Sequence, residues 1–318
     1  MKKVAILSNY IDSFDLPSGR LFSYTELTRV FKEHEIELVR VSIYSFDAIK
    51  GEFCDYADFN KDGQFEIFQE PYKPDIIWNR SEDGLFYAYD IFEKFHMPVF
   101  PSRKLVTIAN DKYEMYLFLK NYQPETTLLK MFFSSESLRK NFPEQLAIKP
   151  IRSNSGKGIE FFTKDELIAN KERFEGLGSL YIVQEFKDFS KGFPGLVTGM
   201  HDVRLVYIGG KFSHATLRSP AVGSLKSNVG SGGSQAYLGK EQLPKELLEL
   251  SMGVIKNLGI DNNNILSIDF GYVLDEKRWY VFEINDTPGV SVGNEVNNKN
   301  GPLNTYFVNI ANYFLETL

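Results

Sequence analysis

The stretch ILSIDFGYVLDEKRWYVFEINDTPG (residues 265–289) holds two apolar, strand-like runs joined by a polar turn. Strands that enter a core avoid charge, yet Asp269 interrupts the first run and Glu283 and Asn285 interrupt the second. Glu283 and Asn285 are separated by a single residue, so they share one face of a strand. Asp269 joins that face only if the hairpin loop has odd length; a two-residue turn would set it opposite Ile284. Two carboxylates and an amide oxygen on one face suit Mg²⁺, which keeps some water and binds alongside substrate phosphates. The plain alternative is three polar residues satisfied at the end of a sheet.

A second stretch, LAIKPIRSNSGKGIEF (146–161), sets Lys149 at a strand end, ahead of a Ser/Asn/Gly loop and a further strand. Gly156 and Gly158 allow backbone N–H groups close to phosphate oxygens, and Lys149 and Lys157 add positive charge. The GxxxxGK[ST] spacing is absent and no helix follows, so this is not a P-loop. A long hairpin explains the same residues without a ligand. YIVQEF (181–186) ends in Gln184, Glu185 and Phe186, whose backbone can meet a base edge, although any strand end reads this way.

Arg80 follows DIIW (75–78), at the end of a parallel-type strand, where open α/β sheets bind ligands. It is a candidate for gripping a substrate carboxylate, with a surface arginine in a loop as an equal reading. DFNKDGQFEIFQE (58–70) imitates a calcium loop, with Asp58, Asn60 and Asp62 at alternate positions and Gly63 next. The closing position carries Gln69, which is uncharged where a bidentate Glu is needed, and QFEIF alternates like a strand. A β-hairpin turning at Asp62 and Gly63 is the expectation. The four histidines form no ligand set.

These residues need elements to position them. Strand and helix signals alternate through the first hundred residues, which predicts a parallel α/β sheet. From about 106 the pattern turns to strands at 125–132, 145–151, 159–162 and 179–186, after a helix at 109–122 that begins near Asp111. Strands at 201–208, 211–218, 265–274 and 279–284, and helices at 244–258 and from about 303, complete two mainly antiparallel blocks. The division predicted is 1–105, 106–186 and 187–318.

Of 318 residues, 43% are apolar and 25% charged, which suits a globular chain with a large core. The net charge of −6 disfavours non-specific nucleic-acid binding. Cys54 is the single cysteine, so disulfide and Cys-based zinc frameworks are excluded and a reducing, cytoplasmic location is expected. The run VAIL near the N-terminus is too short for a signal-peptide core, and no apolar run approaches a membrane span.

The order of the motifs is more specific than any one of them. It runs NDKYEMYLFL (110–119), LAIKPIRSNSGKGI (146–159), IVQEF (182–186), HDVRLVYIGGKFSHATLR (201–218), SNVGSGG (227–233), SIDFGYV (267–273) and VFEINDTPG (281–289). This series resembles the ATP-grasp superfamily, in particular its branch of glutathione synthetases and ribosomal-protein glutamate ligases. The resemblance covers roughly 105–290 and extends more weakly to KPDIIWNRSED (73–83).

The resemblance implies a three-lobed fold of α/β class, with ATP between the central and C-terminal lobes. It implies Lys112 and Lys149 on ATP phosphates, the loop of Gly156 and Gly158 closing over them, and Gln184, Glu185 and Phe186 as the adenine hinge. Asp269, Glu283 and Asn285 would hold two Mg²⁺ ions, with Mn²⁺ as a substitute. Arg218 would stabilise the transferring phosphoryl group, and Asn228 would begin a loop of the substrate pocket. The implied activity joins a carboxylate, of a small molecule, peptide or protein, to an amine by way of an acyl-phosphate. A non-catalytic ATP-binding protein and a kinase on the same fold are the alternatives. Nucleic acid and membrane are not implied as partners, and a homo-oligomer is compatible. Asp202 and Arg204 match an Asp-x-Arg motif, for which an ion pair between strands is an equal reading. The run between hinge and Asp-x-Arg, 186–202, is longer than the resemblance predicts.

Overall fold

The computed structural model describes residues 1–9, 18–59, 65–81, 85–153, 156–220, 233–260, 264–289 and 302–317. The chain begins with β1 (Lys2–Ser8), whose residues Val4 to Leu7 are all buried, followed by α1 (Ser18–Glu33) and β2 (Ile36–Ser42). A continuous apolar run buried on both faces is what a parallel strand needs. The short strands β3 (Phe46–Asp47) and β4 (Glu52–Phe53) pair with each other. The hairpin of β5 (Tyr56–Phe59) and β6 (Phe65–Phe68) follows, then β7 (Ile76–Asn79), α2 (Phe86–Lys94) and β8 (Val99–Phe100). The first sheet has the order β6-β5-β2-β1-β7-β8. Its β2, β1, β7 and β8 are parallel, and β5 and β6 add an antiparallel edge. The calcium-like sequence is therefore a hairpin, as its alternation predicts; its turn, 60–64, lies outside the described residues.

Helices α3 (Arg103–Ala109) and α4 (Lys112–Leu119) lead into the second sheet. The Asp111 side chain caps α4 by accepting from the N–H groups of Tyr113 and Glu114. The central lobe then contains β9 (Thr126–Leu128), α5 (Leu129–Ser134), α6 (Glu136–Lys140), β10 (Gln145–Pro150), β11 (Glu160–Thr163), α7 (Lys164–Ala169) and β12 (Tyr181–Glu185). Its sheet is antiparallel, ordered β11-β10-β12-β9. The strand predicted at 125–132 stops at Leu128. Leu129 and Phe132, both fully buried, then use helical spacing to reach the core.

The last lobe comprises β13 (Asp202–Ile208), β14 (Lys211–Ser219), β15 (Ser234–Leu238), α8 (Lys245–Leu258), β16 (Ile265–Val273), β17 (Arg278–Asn285) and α9 (Pro302–Thr317). Its antiparallel sheet is ordered β15-β14-β13-β16-β17. One core lies between this sheet, α4 and α8. Another joins α9 to α1 and the first sheet, with Phe314 packed on Phe31, Trp78 and Phe100. The last helix thus ties the C-terminal sheet to the N-terminal lobe. No helix among the described residues is long and apolar enough to cross a membrane.

Candidate active site

The acidic face forms by a route other than the one predicted. The loop of β16 and β17 spans residues 274–277, between the paired Val273 and Arg278, so its length is even. Continued without interruption, that register would set Asp269 opposite Phe282. Instead the register shifts between Asp269 and Phe270, and Phe282 is the extra residue of a β-bulge. Asp269 then pairs with Glu283, and Ser267 with Asn285. Gly271 makes room for the bulge: a Cβ there would stand 2.4 Å from Phe282 Cε2 and 2.6 Å from Phe189 Cδ1.

Three cross-strand rows lie on this face, since directly paired residues of an antiparallel sheet point the same way. The first row pairs Asp202 with Arg218. The second runs Thr216, Arg204, Asp269, Glu283 and the third His214, Val206, Ser267, Asn285, each across β14, β13, β16 and β17. Opposite charges interlock across the first two rows. Arg204 donates to both Asp269 oxygens at 2.7 Å, and Arg218 donates to Asp269 Oδ2 at 2.6 Å and to Asp202 Oδ1 at 2.5 Å. Burial alone would raise the Asp269 pKa, but Arg204 and Arg218 outweigh it and hold the group below its ordinary value. The Asp-x-Arg pair is thus an internal clamp on Asp269 and Arg218.

Glu283 forms no ion pair among the described residues. Burial first, and then the Asp269 charge, push its carboxyl up, opposed by Lys112, Arg204 and Arg218. A buried carboxylate facing another across a ladder is chemistry that a divalent cation relieves. Asp269 already accepts three hydrogen bonds, leaving roughly one of its four lone-pair sites. Glu283 is the freer oxygen donor, and the Nδ2 of Asn285 is buried without a partner. No group of three or more His, Cys, Asp or Glu suited to a metal occurs among the described residues.

Opposite this face, β10 presents Lys149 and the start of α4 presents Lys112. Lys112 Nζ donates to Ser153 O at 2.6 Å. Lys149 Nζ donates to Gln184 Oε1 at 2.6 Å, and Gln184 Nε2 donates to Thr126 Oγ1 at 2.8 Å. Burial depresses both lysines, and burial with the nearby Lys112 charge brings Lys149 down to about 8. Neither makes an ion pair among the described residues, so the cleft holds two half-buried ammonium groups that fit a polyphosphate.

Lys112, Lys149, Gly156, Gln184, Glu185, Phe186, Arg218, Asp269 and Glu283 line one cleft, which encloses about 1170 Å³ with its mouth included. Its apolar end is formed by Ala147, Ile159, Phe161, Phe189, Met200 and Phe282. Phe189 and Met200 come from the long run at 186–202 and carried no signal as cleft residues in the sequence. That run is fastened to the β16–β17 turn: Lys187 bridges Glu185 and Glu276, at 2.6 and 2.8 Å, and Lys191 pairs with Asp275. At the hinge that the resemblance implies, the N–H groups of Glu185 and Phe186 already donate to Glu125 O and Gln145 O. A base would therefore meet carbonyl oxygens there, or the N–H of a later residue. Gly158 has φ +72°, and a Cβ there would meet Pro150 at 2.8 Å; it shapes the loop from outside the cleft lining.

Arg80 and Asn285 do not line this cleft. Arg80 lies past the end of β7, with its guanidinium over Trp78 at 4.9 Å and its Nη2 donating to Pro288 O at 3.1 Å. Asn228 and the rest of its loop, 221–232, lie outside the described residues.

No family model matches the chain, and no curated protein does. Solved structures do. The VanG D-Ala:D-Ser ligase of Enterococcus faecalis is 16% identical with a TM-score of 0.66, over 99% of this chain and 98% of that one. A D-alanine–D-alanine ligase of Bacillus anthracis, in complex with ATP, is 15% identical with a TM-score of 0.64, over 100% and 97%. A RimK domain protein ATP-grasp of Sphaerobacter thermophilus DSM 20745 is 13% identical with a TM-score of 0.60, over 98% and 99%. The chain has the ATP-grasp fold, three lobes with a parallel α/β domain first, as the motif order predicts.

Proposed function

We propose that this protein is an ATP-dependent, ADP-forming ligase that joins a carboxylate to an amine. The observation that carries the reading is the cleft between the second and third sheets. One end is apolar and sized for a base, and the other sets two half-buried ammonium groups, without an ion pair among the described residues, against a face with two carboxylates. The shared fold with ligases supports it.

In this reading the apolar end holds adenine, with Gln184, Glu185 and Phe186 at the hinge. Lys112 and Lys149 bind the phosphates, and the loop of Gly156 and Gly158 closes over them and excludes water. Asp269, Glu283 and Asn285 hold divalent metal, Mg²⁺ by the all-oxygen donor set, which would neutralise charge on the phosphates. Arg218 faces the same point and stabilises the phosphoryl group in transfer. Its clamp by Asp202 and Asp269 fixes it in advance. A substrate carboxylate oxygen attacks the γ-phosphorus, the bond to ADP breaks, and an acyl-phosphate results. The amine nitrogen then attacks the carbonyl carbon, phosphate departs and the amine loses a proton. Arg80 and Asn228 lie on the substrate side. Residues 1–105, 106–186 and 187–318 act as the three lobes around these groups.

The test is ADP and phosphate release from MgATP across a matrix of acids and amines. The ligase reading expects release that requires both partners. ADP formed from one substrate alone, together with a stable phosphorylated product, would identify a kinase.

A further inference from the structure

Lys187 lines the same cleft and takes no part in the chemistry proposed above. Its side chain is 8% exposed, and a lysine buried to that extent needs partners. Nζ meets Glu185, the last residue of β12, at 2.6 Å and Glu276, in the β16–β17 turn, at 2.8 Å. One ammonium group thus joins a carboxylate of the central lobe to a carboxylate of the C-terminal lobe. Further contacts hold it there. Nζ lies 4.8 Å from the centre of the Tyr280 ring, and the Tyr280 hydroxyl donates to Glu276. Arg278 meets the same ring at 4.7 Å, while its Nη2 donates to Asn121 O at 2.6 Å. The neighbouring pair of Lys191 and Asp275 is 50% and 70% exposed, so it adds little. The Lys187 bridge is the stronger fastening of the two.

The apolar end of the cleft has one wall on each of these lobes. Ala147, Ile159 and Phe161 belong to the central lobe, with Phe161 edge-on to Phe186 at 5.4 Å. Phe189, Met200 and Phe282 stand on the other side, in a small core with Val273 and Tyr280. Phe189 and Phe282 meet edge to face at 4.2 Å. Tyr280 belongs both to this core and to the Lys187 cluster. The rest of the run 186–202 is built onto the C-terminal sheet. Phe193 packs on Tyr272 and Trp279 at 4.7 and 5.1 Å. His201 Nε2 accepts from Tyr272 N at 3.4 Å, and its Nδ1 donates to Gly199 O at 3.0 Å. The second wall therefore moves with the C-terminal lobe and the first with the central lobe. The two lobes have separate sheets, so the gap between the walls depends on what joins the lobes at this end.

Resting on the ligase reading above, in which this end takes the base, we propose that Lys187 is a positioning residue for the nucleotide: its double bridge sets the gap between the two walls and so how firmly a planar base is clasped. The bridge acts through Phe161 and Phe189, whereas the phosphates belong with Lys112 and Lys149. The two halves of the nucleotide then answer to different groups. A base gripped on both faces loses about a quarter to a half of its dispersion contact when a gap of about 0.5–1 Å opens, so a small movement of the lobes has a large effect on the base and little on the phosphates.

The experiment measures binding of ADP and of inorganic tripolyphosphate, each with Mg²⁺, to the full chain. Tripolyphosphate carries phosphates and no base. Lys187→Met keeps the apolar stem and removes the charge; it should weaken ADP by about 10-fold and leave tripolyphosphate within about twofold of wild type. Lys187→Arg, which can still bridge two carboxylates, should bring ADP back to within about threefold. Glu276 does not line the cleft, so Glu276→Gln separates a set gap from a direct contact of Lys187 with the base. It should weaken ADP several-fold in the wild-type background and add nothing in Lys187→Met. A misfolded variant would lose both ligands alike, so the tripolyphosphate constant guards against that outcome. Unchanged ADP binding in Lys187→Met or in Glu276→Gln, an equal loss of both ligands, or a Glu276→Gln effect that persists in full without Lys187 overturns the assignment. Wild type that binds neither ligand overturns the ligase reading and the assignment together. Wild type that binds both, with the Lys187 effects as expected, yet forms no ADP from MgATP with any acid and amine overturns the ligase reading alone.

Discussion

The two ends of one sheet face obey opposite rules. At the end toward the central lobe, Asp202, Arg218, Asp269 and Arg204 neutralise one another in a closed ladder. At the end toward the N-terminal lobe, Ser267, Asn285, Tyr306 and Arg80 each carry a buried polar side-chain atom without a hydrogen-bond partner among the described residues. The first end is preorganised: its charges are held by the protein itself, ready for a reaction that needs fixed dipoles. The second leaves its polar atoms unpaired among the described residues. In the proposed ligase reading, the phosphoryl chemistry belongs with the first arrangement.

Breaking the ladder should have the largest effect. Arg204→Met leaves the buried Asp269 with Arg218 alone, and chemical denaturation should show a loss of about 3–5 kcal/mol. Next comes Glu283→Gln, which keeps the shape and removes the charge proposed to hold the metal. Turnover should fall on the order of 10²–10³ without a lower unfolding midpoint, because the variant also removes a charge that burial and Asp269 disfavour; near-normal turnover would remove Glu283 from the metal set. Lys149→Ala should weaken ATP binding by about 10–10²-fold.

The Lys149 effect has a pH signature. In the free protein this lysine is cationic below about 8 and neutral above it, so ATP affinity should decline as pH rises through that value. The decline should vanish in Lys149→Ala titrations. Stability moves the other way. The folded pKa lies below the ordinary 10.5, so the unfolded chain binds more protons between about 8 and 10.5, and this group adds stability as pH rises through that window.

A smaller effect should follow from Gly271→Ala, whose methyl would displace Phe282 and Phe189 from the apolar end of the cleft. Overpacking of this kind costs about 1–3 kcal/mol, and ATP affinity should fall with it. Arg80→Met should be the smallest in stability. It removes one hydrogen bond and a stacked cation, but also an unpaired buried charge, so the change should stay within about 1 kcal/mol. A loss as large as that of Arg204→Met would erase the contrast between the two ends.

The sequence was legible where chemistry is local. Asp269, Glu283 and Asn285 stood out because charge interrupts apolar strands, and Lys149 because it ends one. Their convergence was legible only in outcome. An odd loop was the natural inference, whereas an even loop and a bulge at Phe282 achieve the same parity, and an apolar bulge residue looks like any other strand residue. The helix at 129–134 was hidden within a run of apolar residues that serves either period. Asp202 and Arg204 could be seen as a pair, but their partners Arg218 and Asp269 lie on neighbouring strands, so the clamp depends on a register that no local pattern carries. Phe189 and Met200 reach the cleft because Lys187 and Lys191 fasten their loop to a distant turn.

The most direct test of the central claim is ADP release measured with the amide product by mass spectrometry, from MgATP with acids and amines varied independently. ADP, phosphate and amide should form in equal amounts, all requiring both substrates, and should collapse in Glu283→Gln. Nucleotide binding without ADP formation across the whole matrix, or ADP formation that no amine stimulates, would contradict it.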